Sequence, residues 1–137
     1  MSKPSLILDT HILLWLDCND KKLGPESRNT ISAAWREGCI AVSAISFWEA
    51  AMLQARKRIA LPVSVSLWRS NWLAAGLQEL PLSGDIALAA VELIEFHSDP
   101  ADRFITATAQ RNQAQLITAD NAILNWPGLL PRLDARQ

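Results

Sequence analysis

The sequence predicts an α/β fold, a sandwich of helices around a central parallel sheet. Residues 5–8 form a short apolar run up to Asp9, as suits a strand buried on both faces of a parallel sheet. Further candidate strands recur at 39–42, 77–80 and 115–118, and the segments between them have helical spacing. Strands alternating with helices in this rhythm mark a parallel α/β architecture. With 137 residues, 50% hydrophobic and 20% charged, the chain fits one globular domain spanning 1–137, long enough to bury an ordinary core without disulfides.

Each element has a local reason. After the strand at 5–8, residues 10–16 read as helix. Gly24-Pro25 opens the next helix, since proline suits a first helical position, and Gly38 closes it after Ile31, Ala34 and Trp35 have supplied an apolar face. The strand at 39–42 follows. From Ser46, the spacing of Phe47, Ala50, Ala51 and 53–55 is helical until Arg56-Lys57-Arg58 and then Pro62 end it. Residues 66–75 form a helix stopped by Gly76, and 77–80 a short strand. Ser83 caps a helix reaching about Ile94. Asp99-Pro100-Ala101-Asp102 is a helix start with a capping carboxylate, proline at the first position and an acid at the third; that helix reaches about Asn112. Residues 115–118 are the last clear strand, followed by Asp120.

The net charge of −1 argues against a general nucleic-acid binder, which carries a basic excess. It leaves room for a metal enzyme, because a bound cation reverses the field that a phosphate meets. Cys18 and Cys39 form no CxxC motif and complete no zinc set, so both read as reduced thiols. The apolar stretch at 6–16 is interrupted by Asp9, Thr10 and His11 and lacks a cleavage site. A cytoplasmic protein with no membrane segment is expected.

Asp9 and Asp120 each stand where a parallel strand ends, and ligands in open α/β sheets gather beyond the carboxyl ends of strands. Two carboxylates converging there repel unless one is protonated or a hard cation such as Mg²⁺ lies between them. Taken singly, Asp9 and Asp120 also read as helix caps, and Asp102 as the third residue of a cap. Glu49 is harder to explain so, because it sits among Phe47, Trp48, Ala50 and Ala51, where a lone carboxylate is costly.

Four segments, LILDTHILLW (6–15), VSAISFWE (42–49), HSDPADR (97–103) and LITAD (116–120), together resemble the PIN domain of VapC-type toxins, in order and spacing, from about Leu6 to Trp126. The resemblance implies a PIN-like α/β/α sandwich with an acidic pocket that binds Mg²⁺ or Mn²⁺. The family's four acids fall on Asp9, Glu49, Asp102 and Asp120, expected as metal ligands and catalytic groups. Asp99, one helical turn before Asp102, reads first as the helix cap and second as a fifth acid for the pocket, and Thr10 and Thr118 are candidates to orient ligands or water. Ser98 departs from the arginine of many relatives. The implied activity is endonucleolytic hydrolysis of RNA to 5′-phosphate and 3′-hydroxyl products. The implied setting is a type II toxin–antitoxin pair, with a homodimeric toxin and an antitoxin packed in an apolar groove.

Arg56, Lys57, Arg58 and Arg103 are the best cations for an RNA backbone, though 56–58 read equally as a solvated helix end. Trp68 and Trp72, four apart on one helix, read as core or partner interface. His11 and His97 join no nucleophile arrangement and are expected in structural or hydrogen-bonding roles. Two rivals remain. One is a PIN-fold RNA- or protein-binding module with weak catalysis, whose mark would be a missing acid. The other is a phosphohydrolase using Asp9 as nucleophile, which commonly needs a second Asp where His11 stands.

Overall fold

A computed structural model of the chain describes residues 3–137. Its centre is a five-stranded sheet, all parallel, in the order β3-β2-β1-β4-β5. The strands are β1 (Leu6–Leu8), β2 (Ile40–Ser43), β3 (Gln78–Leu80), β4 (Gln115–Thr118) and β5 (Arg132–Asp134). Among the described residues seven helices connect and flank them: α1 (Thr10–Asp17), α2 (Pro25–Arg36), α3 (Ile45–Ala55), α4 (Val65–Ala74), α5 (Gly84–Val91), α6 (Pro100–Arg111) and α7 (Asn121–Leu124). The α/β sandwich expected from the sequence is the one observed.

The alternation of side chains along each strand divides the core in two. Leu6 and Leu8 of β1, Ile40 and Val42 of β2, and Ile117 of β4 share one apolar cluster with Ile12 and Leu13 of α1, Ile31 of α2, Phe47 of α3 and Trp68 of α4. Ile7, Ala41 and Leu116 face the other cluster, with Ile105 and Ala109 of α6, Ile123 of α7, Phe96 and Trp126. Because both faces are covered, the β1 and β2 residues are buried throughout, which is why β1, and β2 up to Ser43, read as apolar runs. Trp68 and Trp72 take the core reading. Trp68 is buried and meets Phe47 and Trp72 edge to face, and Trp72 does the same with Trp35.

Three departures from the sequence reading have physical causes. The helix expected to run from Ser83 to about Ile94 ends at Val91, because the chain then turns Leu93 and Phe96 into the core while Glu95 adopts a positive φ of 58°. After Asp120 comes the four-residue α7, and then a fifth strand beyond the one taken as last. β5 has a single apolar residue, Leu133, between Arg132 and Asp134. Pairing with β4 in register (Leu116↔Arg132, Ile117↔Leu133, Thr118↔Asp134) makes it a strand, rather than its own pattern.

Gly38 closes the second helix as expected, with a φ of 68° that suits a glycine just past a helix end. Both cysteines are free, Cys18 exposed and Cys39 buried. Among the described residues no helix is long and apolar enough to cross a membrane.

Candidate active site

β1 and β4 are neighbours in the sheet and end side by side, so the residues just past them, Asp9 and Asp120, are brought to one crevice. Glu49 reaches it from α3, and Asp99 and Asp102 from the start of α6. These five acids line a pocket of about 310 Å³ together with His11, Trp15 and Arg136. The sequence reading anticipated the acids, but not Trp15 or Arg136.

Asp9 is both a helix cap and a pocket wall. Its Oδ1 accepts from the backbone N–H of Thr10 at 2.8 Å, starting α1, and its Oδ2 accepts from Thr118 Oγ1 at 2.7 Å. Burial pushes its carboxyl above the ordinary range, while the Thr118 bond, the His11 charge and the Thr10 amide pull the other way. Thr118 is itself fully buried and also accepts from the Asp120 N–H at 3.0 Å. One hydroxyl thus fixes two of the acids relative to each other.

Glu49 has the partner that its apolar surroundings demand. Thr10 Oγ1 donates to Glu49 Oε1 at 2.5 Å, and the same oxygen lies 2.9 Å from Ser46 Oγ. Burial raises the Glu49 carboxyl and the Asp9 charge adds to that, against the Thr10 bond. Asp120 caps α7, accepting from the N–H groups of Ala122 and Ile123. Asp99 caps α6 by accepting from the Asp102 N–H at 3.1 Å, and its side chain still borders the pocket. Capping and site-forming placements coexist in Asp9, Asp99 and Asp120.

Asp102 carries the largest perturbation. Burial, followed by the charges of Asp9, Asp99 and Asp120 and a hydrogen bond shared with Asp120, pushes it up to about 9. His97 Nε2 lies 3.2 Å from Asp102 Oδ2, within ion-pair range but out of line for a hydrogen bond. His97 is thus at the cluster, stacked on Phe96 at 4.6 Å, a placement that its distance from any nucleophile motif gave no reason to expect.

The four remaining cations of the sequence reading lie elsewhere. Arg56, Lys57 and Arg58 are exposed at the end of α3, where Lys57 takes a φ of 58° and the N–H groups of Lys57 and Arg58 close the helix onto Gln54 and Leu53. Lys57 and Arg58 border a different hollow from the acidic one. Arg103 donates to the carbonyls of Ala90 and Phe96 and lies over the Phe96 ring, so its guanidinium ties the α5–α6 connection together.

The donor set suits a divalent cation. His97, Asp102 and Asp120 each offer a ligand atom within 4.8 Å of the others, and Asp9 and Glu49 line the same pocket. Hard oxygen donors match Mg²⁺, and one imidazole among them is compatible with Mn²⁺. The upward shifts of Asp9, Glu49 and Asp102 express the same fact electrostatically. Such crowding favours protons unless a cation replaces them.

Comparison with known proteins identifies the family and the fold. Residues 6–128 match the family model of the PIN domain. Over 120 residues the chain is 32% identical to a curated protein named ribonuclease VapC22, from Mycobacterium tuberculosis, covering 87% of this chain and 89% of that one. Two solved structures share the fold. A toxin–antitoxin complex from Klebsiella pneumoniae has a TM-score of 0.64 at 24% identity over 96% of this chain and 98% of that one. VapBC2 from Rickettsia felis, bound to a DNA fragment from its promoter, has a TM-score of 0.66 at 18% identity over 94% and 98%. The chain belongs to the PIN domain family.

Proposed function

We propose that this protein is a metal-dependent endoribonuclease that hydrolyses RNA phosphodiester bonds, and that it is the toxin of a type II toxin–antitoxin pair. One observation carries the reading. Four acids from four separate segments, the ends of β1 and β4, the middle of α3 and the first turn of α6, converge on one pocket, where burial and then the neighbouring carboxylates raise the proton affinity of Asp9, Glu49 and Asp102. Evolution of a stable fold gives no reason for such repulsion; a cation-binding site does. The name of the Mycobacterium relative supports the ribonuclease assignment.

In this reading Asp9, Asp102 and Asp120 hold Mg²⁺ or Mn²⁺, with Glu49 completing the site. The ion supplies charge stabilisation at the phosphate and lowers the pKa of water. The chain's own residues do the rest. Thr118 fixes Asp9 and the Asp120 backbone in one geometry, and Thr10 orients Glu49. Glu49, half-buried with raised proton affinity, is the base that receives a proton from the attacking water. The bond to the 3′ oxygen breaks in line and the departing oxygen takes a proton from solvent, leaving a 3′-hydroxyl and a 5′-phosphate. Asp99 caps α6 at the rim and adds negative charge to the cluster.

Two protein partners are proposed with the activity, a second copy of the chain and an antitoxin, in a cytoplasmic setting. Exposed Leu88, Val91, Ile94 and Leu129, and on other helices Trp48 and Leu67, supply the apolar surface such partners need. The similar structure from Klebsiella pneumoniae is a toxin–antitoxin complex, which supports an antitoxin partner.

The deciding experiment is cleavage by purified Asp9→Asn and Asp120→Asn proteins. Both substitutions keep shape and lose ligand charge, so RNA cleavage in Mg²⁺ is expected to vanish while circular dichroism is unchanged. Undiminished Mg²⁺-dependent cleavage by Asp9→Asn would sink the mechanism. For the toxin role, induced expression should arrest growth, and co-expression of a short neighbouring gene should relieve it.

A further inference from the structure

Among the described residues that line the acidic pocket, Arg136 is the one permanent cation. Its position is built rather than incidental. Nη2 donates to the carbonyl of Ala119 at 2.8 Å, one residue before Asp120, and Nη1 lies 3.2 and 3.4 Å from the two Asp134 oxygens. Among the described residues no hydrogen bond engages Nε, so the Nε–Nη2 edge of the guanidinium, the fork that grips a phosphate, retains donors. The side chain is 48% exposed.

The backbone beneath it is strapped down. The Ala135 N–H donates to Thr118 O, the Gly24 N–H to Ala135 O and the Ser27 N–H to Gln137 O, binding residues 135–137 between β4 and the start of α2. This approach is so close that a Cβ on Gly24 would fall 2.3 Å from Gln137 backbone atoms and 2.4 Å from Arg136 O. A glycine is therefore required more than a hundred residues away to hold the segment that carries Arg136. An exposed ion pair with Asp134 would by itself return little stability for that arrangement. A phosphate drawn toward five carboxylates needs a fixed positive charge on the rim in addition to a metal ion.

We propose that Arg136 is the substrate-phosphate anchor of this site, gripping an RNA backbone phosphate beside Asp120. The proposal rests on the ribonuclease reading and assigns to Arg136 the role that the sequence alone suggested for 56–58 and Arg103.

The test uses a short labelled single-stranded RNA and the full chain. Binding is measured with Ca²⁺ in place of Mg²⁺ between roughly 50 and 200 mM salt, and cleavage in Mg²⁺. Arg136→Gln is expected to weaken binding about tenfold and to reduce the log–log salt slope by about 0.7, the loss of one phosphate contact. Arg136→Lys should recover the slope and part of the affinity. Arg111→Gln, which removes an exposed cation paired with Asp85 away from the pocket, should leave both unchanged. Melting curves of each variant separate lost contact from lost fold. Wild-type affinity and slope in a folded Arg136→Gln protein would overturn the proposal, as would an equal loss in Arg111→Gln. A wild-type protein that neither binds nor cuts RNA would remove the ribonuclease reading, and this proposal with it.

Discussion

Thr118→Val tests the central geometric claim, that one buried hydroxyl fixes the metal-binding acids. Valine has nearly the shape of threonine, so the fully buried position keeps its packing while losing a donor to Asp9 Oδ2 and an acceptor for the Asp120 N–H. A hydrogen bond to an ionised group is worth roughly 1.5–3 kcal/mol. That energy favours the charged form of Asp9, which burial otherwise opposes. Removing it raises the Asp9 pKa further, and a ligand must be deprotonated to hold a cation. Mg²⁺ affinity near neutral pH should therefore fall by roughly ten- to a hundredfold, at about 1.4 kcal/mol per factor of ten. The loss should shrink as pH rises, because alkali supplies the ionisation that Thr118 no longer favours. Calorimetric Mg²⁺ titrations at several pH values measure this directly, with the cleavage profile shifting in the same sense. An affinity loss independent of pH would refute the proton-linked argument, and no loss at all would refute the geometric one.

Three further outcomes follow from the same site. Asp102, pushed up to about 9, must take up a proton to fold at neutral pH without metal; Asp102→Asn should raise the metal-free Tm by several degrees, roughly 3–5 °C per kcal/mol recovered, while abolishing cleavage. Asp9, Glu49 and Asp102 are all raised, so the folded state binds more protons than the unfolded one, and stability is lost as pH climbs from the ordinary carboxylate range toward 9. Thermal melts of metal-free protein should fall across that window and flatten with Mg²⁺; a metal-free Tm that rises with pH would contradict the assigned shifts. Gly24→Ala should displace residues 135–137, costing roughly 1–3 kcal/mol of overpacking in denaturant titrations and weakening RNA binding much as Arg136→Gln does.

Much of this site was legible in the sequence because burial on both faces leaves a plain signature. β1 is an unbroken apolar run and β2 is one up to Ser43, and an acid at the end of β1 announces itself by ending its run. Glu49 was legible for the opposite reason, as a carboxylate where the helix is apolar. Asp102 was not separable from a cap by local pattern, and in the structure it does occupy the third helical position; only the motif resemblance singled it out. β5 and α7 were missed because a strand with one apolar residue is created by its neighbour, and a four-residue helix by the Asp120 cap. Arg136 and His97 carried no local signal, since both reach the pocket through tertiary approach. The Ala119 carbonyl and the Gly24 gap that seat Arg136 lie 17 and 112 residues away from it.

The placement of β1 between β2 and β4 has a consequence for biosynthesis. Asp9 emerges early from the ribosome and Asp120 late, and their walls meet only when β4 docks beside β1. A growing chain that has not yet delivered β4 has no pocket, however well its first half has condensed. The nuclease would thus be harmless until β4 has been made and be armed by its docking. Two separately produced pieces, split in the exposed turn before Pro100, should be inactive alone and regain cleavage on mixing.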